Sequence, residues 1–154
     1  MLLRLMTLTS TILLTGCMAT SYHAPSGDDV ATIKFVNQGR GNADVYIYQG
    51  AEFCTGKQDA GTVDRLSSHT VSVVGNQPQS FSFGYGFTDY SGTKSCAITA
   101  TFTPESQRDY EVLIVSSYGG CVAYLYELEQ GQKREISGKQ REYAKPYTND
   151  NWCE

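Results

Sequence analysis

The sequence is short of charge, and it lacks both a basic excess and a long apolar run. Only 18% of its 154 residues are charged, and 12 Lys and Arg stand against 16 Asp and Glu, giving a formal net charge of −4. Nucleic-acid-binding proteins usually carry a clustered basic surface, so we expect no nucleic-acid partner. A membrane-spanning helix needs about 20 apolar residues, and the apolar run near the N-terminus is too short to span a membrane. The length suits one domain.

Histidine is also scarce, and common catalytic spacings are missing. The chain has two histidines, and we interpret His69 as a surface residue at the start of a strand. It contains neither a G-x-S-x-G elbow nor H-E-x-x-H. The cysteines lack the C-x-x-C spacing of zinc and thiol-redox sites. We therefore predict a non-enzymatic protein without metal or cofactor. The alternative hypothesis of an enzyme is a hydrolase in which two acidic side chains face one cleft.

Residues 1–16 have the layout of an export signal. A short region with a single charge, Arg4, precedes the apolar run LMTLTSTILLTG. The residues Leu14 to Cys17, LTGC, then resemble the bacterial lipobox. The resemblance implies that Cys17 becomes the acylated N-terminus, and two or three acyl chains anchor durably where one binds marginally. It further implies, with Met18 rather than Asp after the cysteine, an outer-membrane anchor facing the periplasm.

Two segments follow the signal. Residues 17–29 form the lipidated N-terminus and a polar stretch with Pro25, Gly27 and no apolar period, which predicts a flexible tether spanning about 20 Å. Residues 30–154 form the predicted domain.

Runs of β-forming residues separated by turn formers fill the domain. They predict an all-β, two-sheet antiparallel sandwich of immunoglobulin or prealbumin type with seven or eight strands, and a small closed barrel is the alternative. The strands near Leu113 and Leu125 are apolar on both faces and are expected to lie centrally. An edge strand is expected at Glu135–Ile136 and a helical turn near Lys139–Ala144. Two runs alternate strictly and predict core faces: Phe81, Phe83, Tyr85, Phe87 and Cys96, Ile98, Ala100, Phe102.

Four cysteines remain once Cys17 is acylated. An exported chain enters an oxidising compartment, so Cys54, Cys96, Cys121 and Cys153 are expected to form two disulfides. Three pairings exist, and we favour Cys54–Cys96 with Cys121–Cys153.

The C-terminal tail offers the candidate interaction residues. Its aromatic rings alternate with basic side chains, a composition that anchors interfaces and stacks on sugars. The alternative is that the rings pack on the edge of the sandwich. The residues are Arg141, Tyr143, Lys145, Tyr147 and Trp152.

The run from Cys96 to Val112, CAITATFTPESQRDYEV, resembles a segment of small uncharacterised proteobacterial lipoproteins, with Cys121 shortly after it. The resemblance fixes no activity. Together these features predict a lipid-tethered envelope module that contacts an envelope protein or the cell wall. The alternative function is an immunity or inhibitor lipoprotein that blocks a toxin or hydrolase.

Replacing the lipobox cysteine tests the anchor. Cys17→Ser is expected to abolish incorporation of labelled palmitate and to release the protein from membranes, because the thiol is the site of acylation. Continued palmitate labelling of the variant would contradict the lipobox interpretation.

Overall fold

The computed structural model describes residues 20–90, 92–117, 120–142 and 151–154. Eleven strands and no helix occur within this part of the chain. The strands are β1 (Thr20–Ser21), β2 (Val30–Gln38), β3 (Ala43–Gly50), β4 (Thr55–Val63), β5 (Ser68–Val74), β6 (Gln79–Asp89), β7 (Gly92–Phe102), β8 (Asp109–Ser117), β9 (Gly120–Glu129), β10 (Gln132–Glu135) and β11 (Lys139–Arg141).

The strands form two sheets that pack face to face as a β-sandwich. Sheet A has the order β1-β4-β3-β6-β7-β11, and sheet B has the order β10-β9-β8-β2-β5. The all-β sandwich prediction is therefore confirmed. Both sheets are mixed rather than purely antiparallel, because β1 runs parallel to β4 and β2 runs parallel to β8.

The alternating runs supply much of the core: Phe81, Phe83, Tyr85 and Phe102 are buried in it, and Phe87, Cys96 and Ala100 pack against it while partly buried. Ile98 is half-buried and lies outside this cluster. Phe81, Phe83 and Tyr85 of β6 are buried, and the ring of Phe35 on β2 meets the first two edge-on at centroid distances of 5.4 and 5.2 Å. Edge-to-face packing matches the positive ring edge with the negative ring face. These contacts join sheet A to sheet B, and they leave the intervening residues of β6 on the outer surface.

The strand count exceeds the predicted seven or eight because three short polar strands join the sheet edges. β10 covers an edge of sheet B close to the predicted position. Lys139–Arg141 pair with Thr101, Ala100 and Thr99 of β7, so the predicted helical turn is wrong there. An exposed edge strand can recruit a short segment of any composition through backbone hydrogen bonds, and such a strand has little sequence signature. Residues 143 and 144 lie outside the described residues.

The first described strand, β1, lies within the predicted tether. Thr20 and Ser21 pair with Gln58 and Asp59 of β4, and the Tyr22 amide donates to the Asp59 carbonyl at 2.7 Å. The Tyr22 hydroxyl donates to the Ser72 carbonyl of β5 at 2.8 Å. This half-buried ring bridges the edges of both sheets, which explains why the chain is held here despite its polar composition.

The four domain cysteines form two disulfides, but the favoured pairing is wrong. Cys54 bonds to Cys153 and Cys96 bonds to Cys121, with Cα separations of 5.3 and 5.9 Å. These separations fall in the usual disulfide range. Cys96 faces inward from β7 and meets Cys121 on β9, so this bond joins the two sheets. Cys54 ends the β3–β4 turn, and the C-terminal residues lie against this turn. The spacing of cysteines along the chain contains no information about this contact.

Removing the bond between the sheets should cost stability. Replacing Cys96 and Cys121 together by Ala is expected to lower the free energy of unfolding by about 3 kcal/mol, because a closed loop of 25 residues no longer restricts the unfolded chain. Urea denaturation measures the loss. A non-reducing peptide map in which Cys54 is linked to Cys96 would contradict this structure.

Candidate functional site

A groove crosses the outer face of sheet A, and the strand register explains its shape. Three rows of outward side chains run across β3, β6 and β7: Tyr46–Ser82–Thr99, Asp44–Gly84–Ala97 and, on β6 and β7 alone, Gly86–Ser95. Tyrosines on β3 form a wall, whereas small residues on β6 and β7 form a low floor. We call this the sheet A groove. Its pocket measures about 390 Å³ and is lined by Asp44, Tyr46, Tyr48, Lys57, Ser82, Gly84, Tyr85, Gly86, Ser95, Cys96, Ala97 and Thr99.

Two glycines keep the floor low for different reasons. A Cβ atom at Gly84 would lie 2.5 Å from the Cys96 carbonyl oxygen and 2.6 Å from the Ala97 Cα, so the backbones of β6 and β7 leave no room for a side chain. At Gly86 the nearest neighbour of a Cβ would be the Lys94 carbonyl oxygen at 3.8 Å. A side chain at position 86 would therefore be tolerated and would project into the groove.

A lysine held between aromatic rings forms one wall. The Lys57 ammonium lies 3.8 Å from the ring centroid of Tyr46 and 4.5 Å from that of Trp152. Ring faces attract cations through their quadrupole. Burial lowers the pKa of Lys57 below its ordinary value, while the carboxylates of Asp44 and Asp59 oppose that shift.

The acidic side of the groove influences the neighbouring phenol. Burial raises the pKa of Tyr46, and the negative charges of Asp44 and Asp59 raise it further. Asp44 itself is exposed, and its Oδ1 accepts a hydrogen bond of 2.9 Å from Thr62. The groove therefore contains one carboxylate and one ammonium with aromatic rings beside them.

A row of hydroxyl groups closes the end of the groove nearest the tail. The Tyr48 hydroxyl and Ser82 Oγ are 2.7 Å apart, and Ser82 Oγ and Thr99 Oγ1 are also 2.7 Å apart. All three side chains are buried. Because buried polar groups are costly unless they are paired, this chain of hydrogen bonds fixes the Tyr48 ring and the end wall.

The C-terminal residues lie against that end wall. Tyr48, Cys54 and Cys153 form a small buried cluster with Trp152 packed against it. The amide of Trp152 donates to the Phe53 carbonyl at 3.0 Å. The Cys54–Cys153 disulfide thus holds Trp152 beside Lys57, which lines the groove.

Arg141 has a structural role within the domain, which its position in a tail rich in basic and aromatic residues does not indicate. Its side chain is 9% exposed. The guanidinium donates to the Glu52 carbonyl, and Nε donates to the Glu154 carbonyl at 2.7 Å. The Nη1 atom of Arg141 donates to Thr101 Oγ1 at 3.2 Å. The prediction that Arg141 is an interaction residue is therefore corrected. Its guanidinium donates to the β3–β4 turn, the C-terminus and β7, and these bonds lie within the domain.

The other predicted site residues divide into two groups. Trp152 lies in the described part and packs beside the groove, while Cys17, Tyr143, Lys145 and Tyr147 lie outside the described residues. His69 is exposed, as predicted, and its Nε2 is 3.0 Å from the Ala60 carbonyl oxygen.

The outer face of sheet B presents a second, flatter surface. Val122 and Tyr124 of β9 are 43% and 38% exposed, and Tyr124 stacks with Tyr126 at a centroid distance of 6.3 Å. In the register, Leu113 of the central strand β8 lies opposite Tyr124. The strand near Leu113 is thus central as predicted, whereas Leu125 lies on β9 beside the edge strand β10.

Two buried carboxylates lie on opposite faces of sheet B. Glu111 and Glu127 are each 4% exposed, and they form ion pairs with Lys133 and Arg134 of β10 respectively. Glu127 lies opposite the core residue Tyr110 in the ladder and so shares its face, while the adjacent Glu111 points outward. These two acids therefore do not face one cleft. The described residues also contain no group of three or more His, Cys, Asp or Glu placed to hold a metal ion.

In comparisons with known proteins, no family model and no curated protein matches this chain. Within the described residues, no helix is long and apolar enough to cross a membrane. The sheet A groove therefore has to be interpreted from its own chemistry.

Sequence reasoning missed this groove. Its residues occupy the outward positions of strands whose inward positions supply the core, and outward Ser, Gly and Thr are typical of any solvated face. The available signal was the run SFSFGYGF beside SCAITATF, in which consecutive outward positions of two neighbouring strands are all small.

The single tryptophan reports on the groove wall. Replacing Cys54 and Cys153 together by Ser is expected to shift Trp152 emission to longer wavelength, because the tail loses its covalent anchor and the ring gains access to water. Replacing Cys96 and Cys121 by Ser is the matched control and should leave the emission of the folded protein unchanged. Equal shifts in both variants would contradict this role of the tail.

Proposed function

We propose that this protein is a lipid-anchored, non-enzymatic binding module of the bacterial cell envelope, held at the periplasmic face of the outer membrane through Cys17. The observation that carries the binding role is the sheet A groove. A concave site of about 390 Å³ with a few convergent polar groups lies within the range of roughly 300–1,000 Å³ typical of small-molecule sites.

Two further features support an exported, anchored protein. Four cysteines in two disulfides fit an oxidising compartment, since thiols in the cytosol are kept reduced. The lipobox-like residues LTGC supply the anchor, and only Met18 and Ala19 separate Cys17 from β1.

The position of β1 indicates which edge of the domain the proposed anchor would hold near the membrane. Three Cα steps join Cys17 to Thr20, and they span at most about 11 Å. Because β1 pairs with β4 at the edge of sheet A, acyl chains on Cys17 would hold that edge close to the bilayer. The groove, whose wall includes Lys57 of β4 next to this pairing, would then lie near the membrane surface.

A capture experiment tests this function. The full lipidated chain, immobilised in detergent with its disulfides formed, is incubated with isolated cell wall and separately with envelope extract. Retention of wall material or of one stoichiometric envelope component is expected, and Gly86→Leu should reduce it because the added side chain fills the groove. The control is Tyr124→Ala on sheet B.

The outcomes separate the function classes. Equal retention by the protein and by Gly86→Leu would contradict a binding role for the groove. Capture of a toxin or hydrolase whose activity is lost in the complex would instead support the inhibitor alternative.

A further inference from the structure

We infer that the sheet A groove binds a neutral pyranose saccharide, with the sugar ring against Tyr46 and its hydroxyl groups bonded to Asp44, Lys57 and Ser95. This inference rests on the proposed binding function and specifies its ligand class.

The backbone around the groove favours recognition by side chains. Of the three strands that line the groove, β3 pairs with β4 and β6, and β6 pairs with β3 and β7, so both are hydrogen-bonded on both edges. Within the described residues, β7 pairs with β11 only at residues 99–101. A peptide that binds by strand addition needs a free row of backbone donors and acceptors. β3 and β6 offer none, and the outer edge of β7 lies on the side of the sheet away from the Tyr46 wall, so strand addition would leave that wall unused.

The charges of the groove favour a neutral ligand. Asp44 and Lys57 are the ionic side chains of the pocket lining, one of each sign. A phosphate or carboxylate drawn to Lys57 would meet the field of Asp44, and a cation drawn to Asp44 would meet that of Lys57. A polyhydroxylated ligand can satisfy both, because a hydroxyl group donates to a carboxylate and accepts from an ammonium.

The apolar surfaces of the groove suit a sugar ring. Tyr46 is half-buried and lines the pocket, with the Lys57 ammonium over one ring face. The C–H groups of a pyranose are weakly positive and are attracted to the negative face of an aromatic ring. The low floor at Gly84 and Ala97 leaves space for a flat ring to lie along the wall.

The hydrogen-bonding groups lie around this space rather than beneath it. Asp44 and Ser95 are exposed, and they stand in adjacent rows on opposite sides of the floor. Ser82 and Thr99 already bond to each other in the end wall, so they serve to close the groove. Polar groups at the rim and an aromatic wall match the alternation of equatorial hydroxyls and C–H faces on a pyranose.

Oligosaccharide titration tests the ligand class. The full chain is purified in a detergent without a sugar head group, because such a head group would compete. Two probes are titrated by calorimetry and by Trp152 fluorescence: β-1,4-linked N-acetylglucosamine oligomers, which represent the cell-wall glycan, and maltotriose, which represents other neutral polysaccharides. Saturable binding of at least one probe is expected.

Matched variants assign the binding to the groove. Tyr46→Ala is expected to weaken binding about tenfold through loss of the stacking surface. Gly86→Leu should abolish it by filling the space, and position 86 tolerates a side chain without a clash. Tyr124→Ala on sheet B should bind as the unmodified protein does, and circular dichroism of all three checks that the sandwich is folded.

Each outcome decides the question. Binding of the N-acetylglucosamine oligomers supports a wall glycan, and binding of maltotriose alone supports the saccharide class with a different source. Binding of neither probe, or binding that both groove variants leave unchanged, would overturn the inference. Failure here leaves the proposed function standing if Cys17 is acylated and an envelope component is retained, so the two can be distinguished.

Discussion

The packing of Phe35 against Phe81 and Phe83 is the contact on which the rest of the structure depends. It joins β2 of sheet B to β6 of sheet A at ring separations of 5.4 and 5.2 Å. Because side chains alternate along a strand, fixing Phe81 and Phe83 inward also fixes Ser82 and Gly84 outward. The core therefore determines the floor of the groove: a shift of β6 by one residue would exchange the aromatic rings with the small residues.

The sequence predicts the features that repeat and misses those that depend on single contacts. The period of two along β6 and β7 is repeated over many residues, so it predicts both the strands and the core face. β11 consists of three polar residues that join the edge of β7. Lys, Gln and Arg have high helix propensity, and pairing with the sheet edge overrides it. The same limit applies to Tyr22, whose hydroxyl donates to the Ser72 carbonyl and so holds the segment after β1 to the domain.

The disulfide pairing and the role of Arg141 fail for a related reason. Both depend on where the chain ends come together, and a sequence separation of 99 residues between Cys54 and Cys153 gives no hint of contact. Arg141 looks like a partner-binding residue because Arg is enriched at interfaces. A guanidinium with five donors is equally suited to joining several carbonyl groups inside one protein, and here it joins the β3–β4 turn to the C-terminus.

The C-terminal disulfide and the aromatic rings beside Lys57 together determine the surroundings of this lysine in the groove. Burial disfavours the charged form of Lys57, yet the rings of Tyr46 and Trp152 supply attraction to the ammonium in place of water. Trp152 reaches this position because Cys153 is bonded to Cys54. The position of the Trp152 ring beside Lys57 therefore depends on the Cys54–Cys153 disulfide.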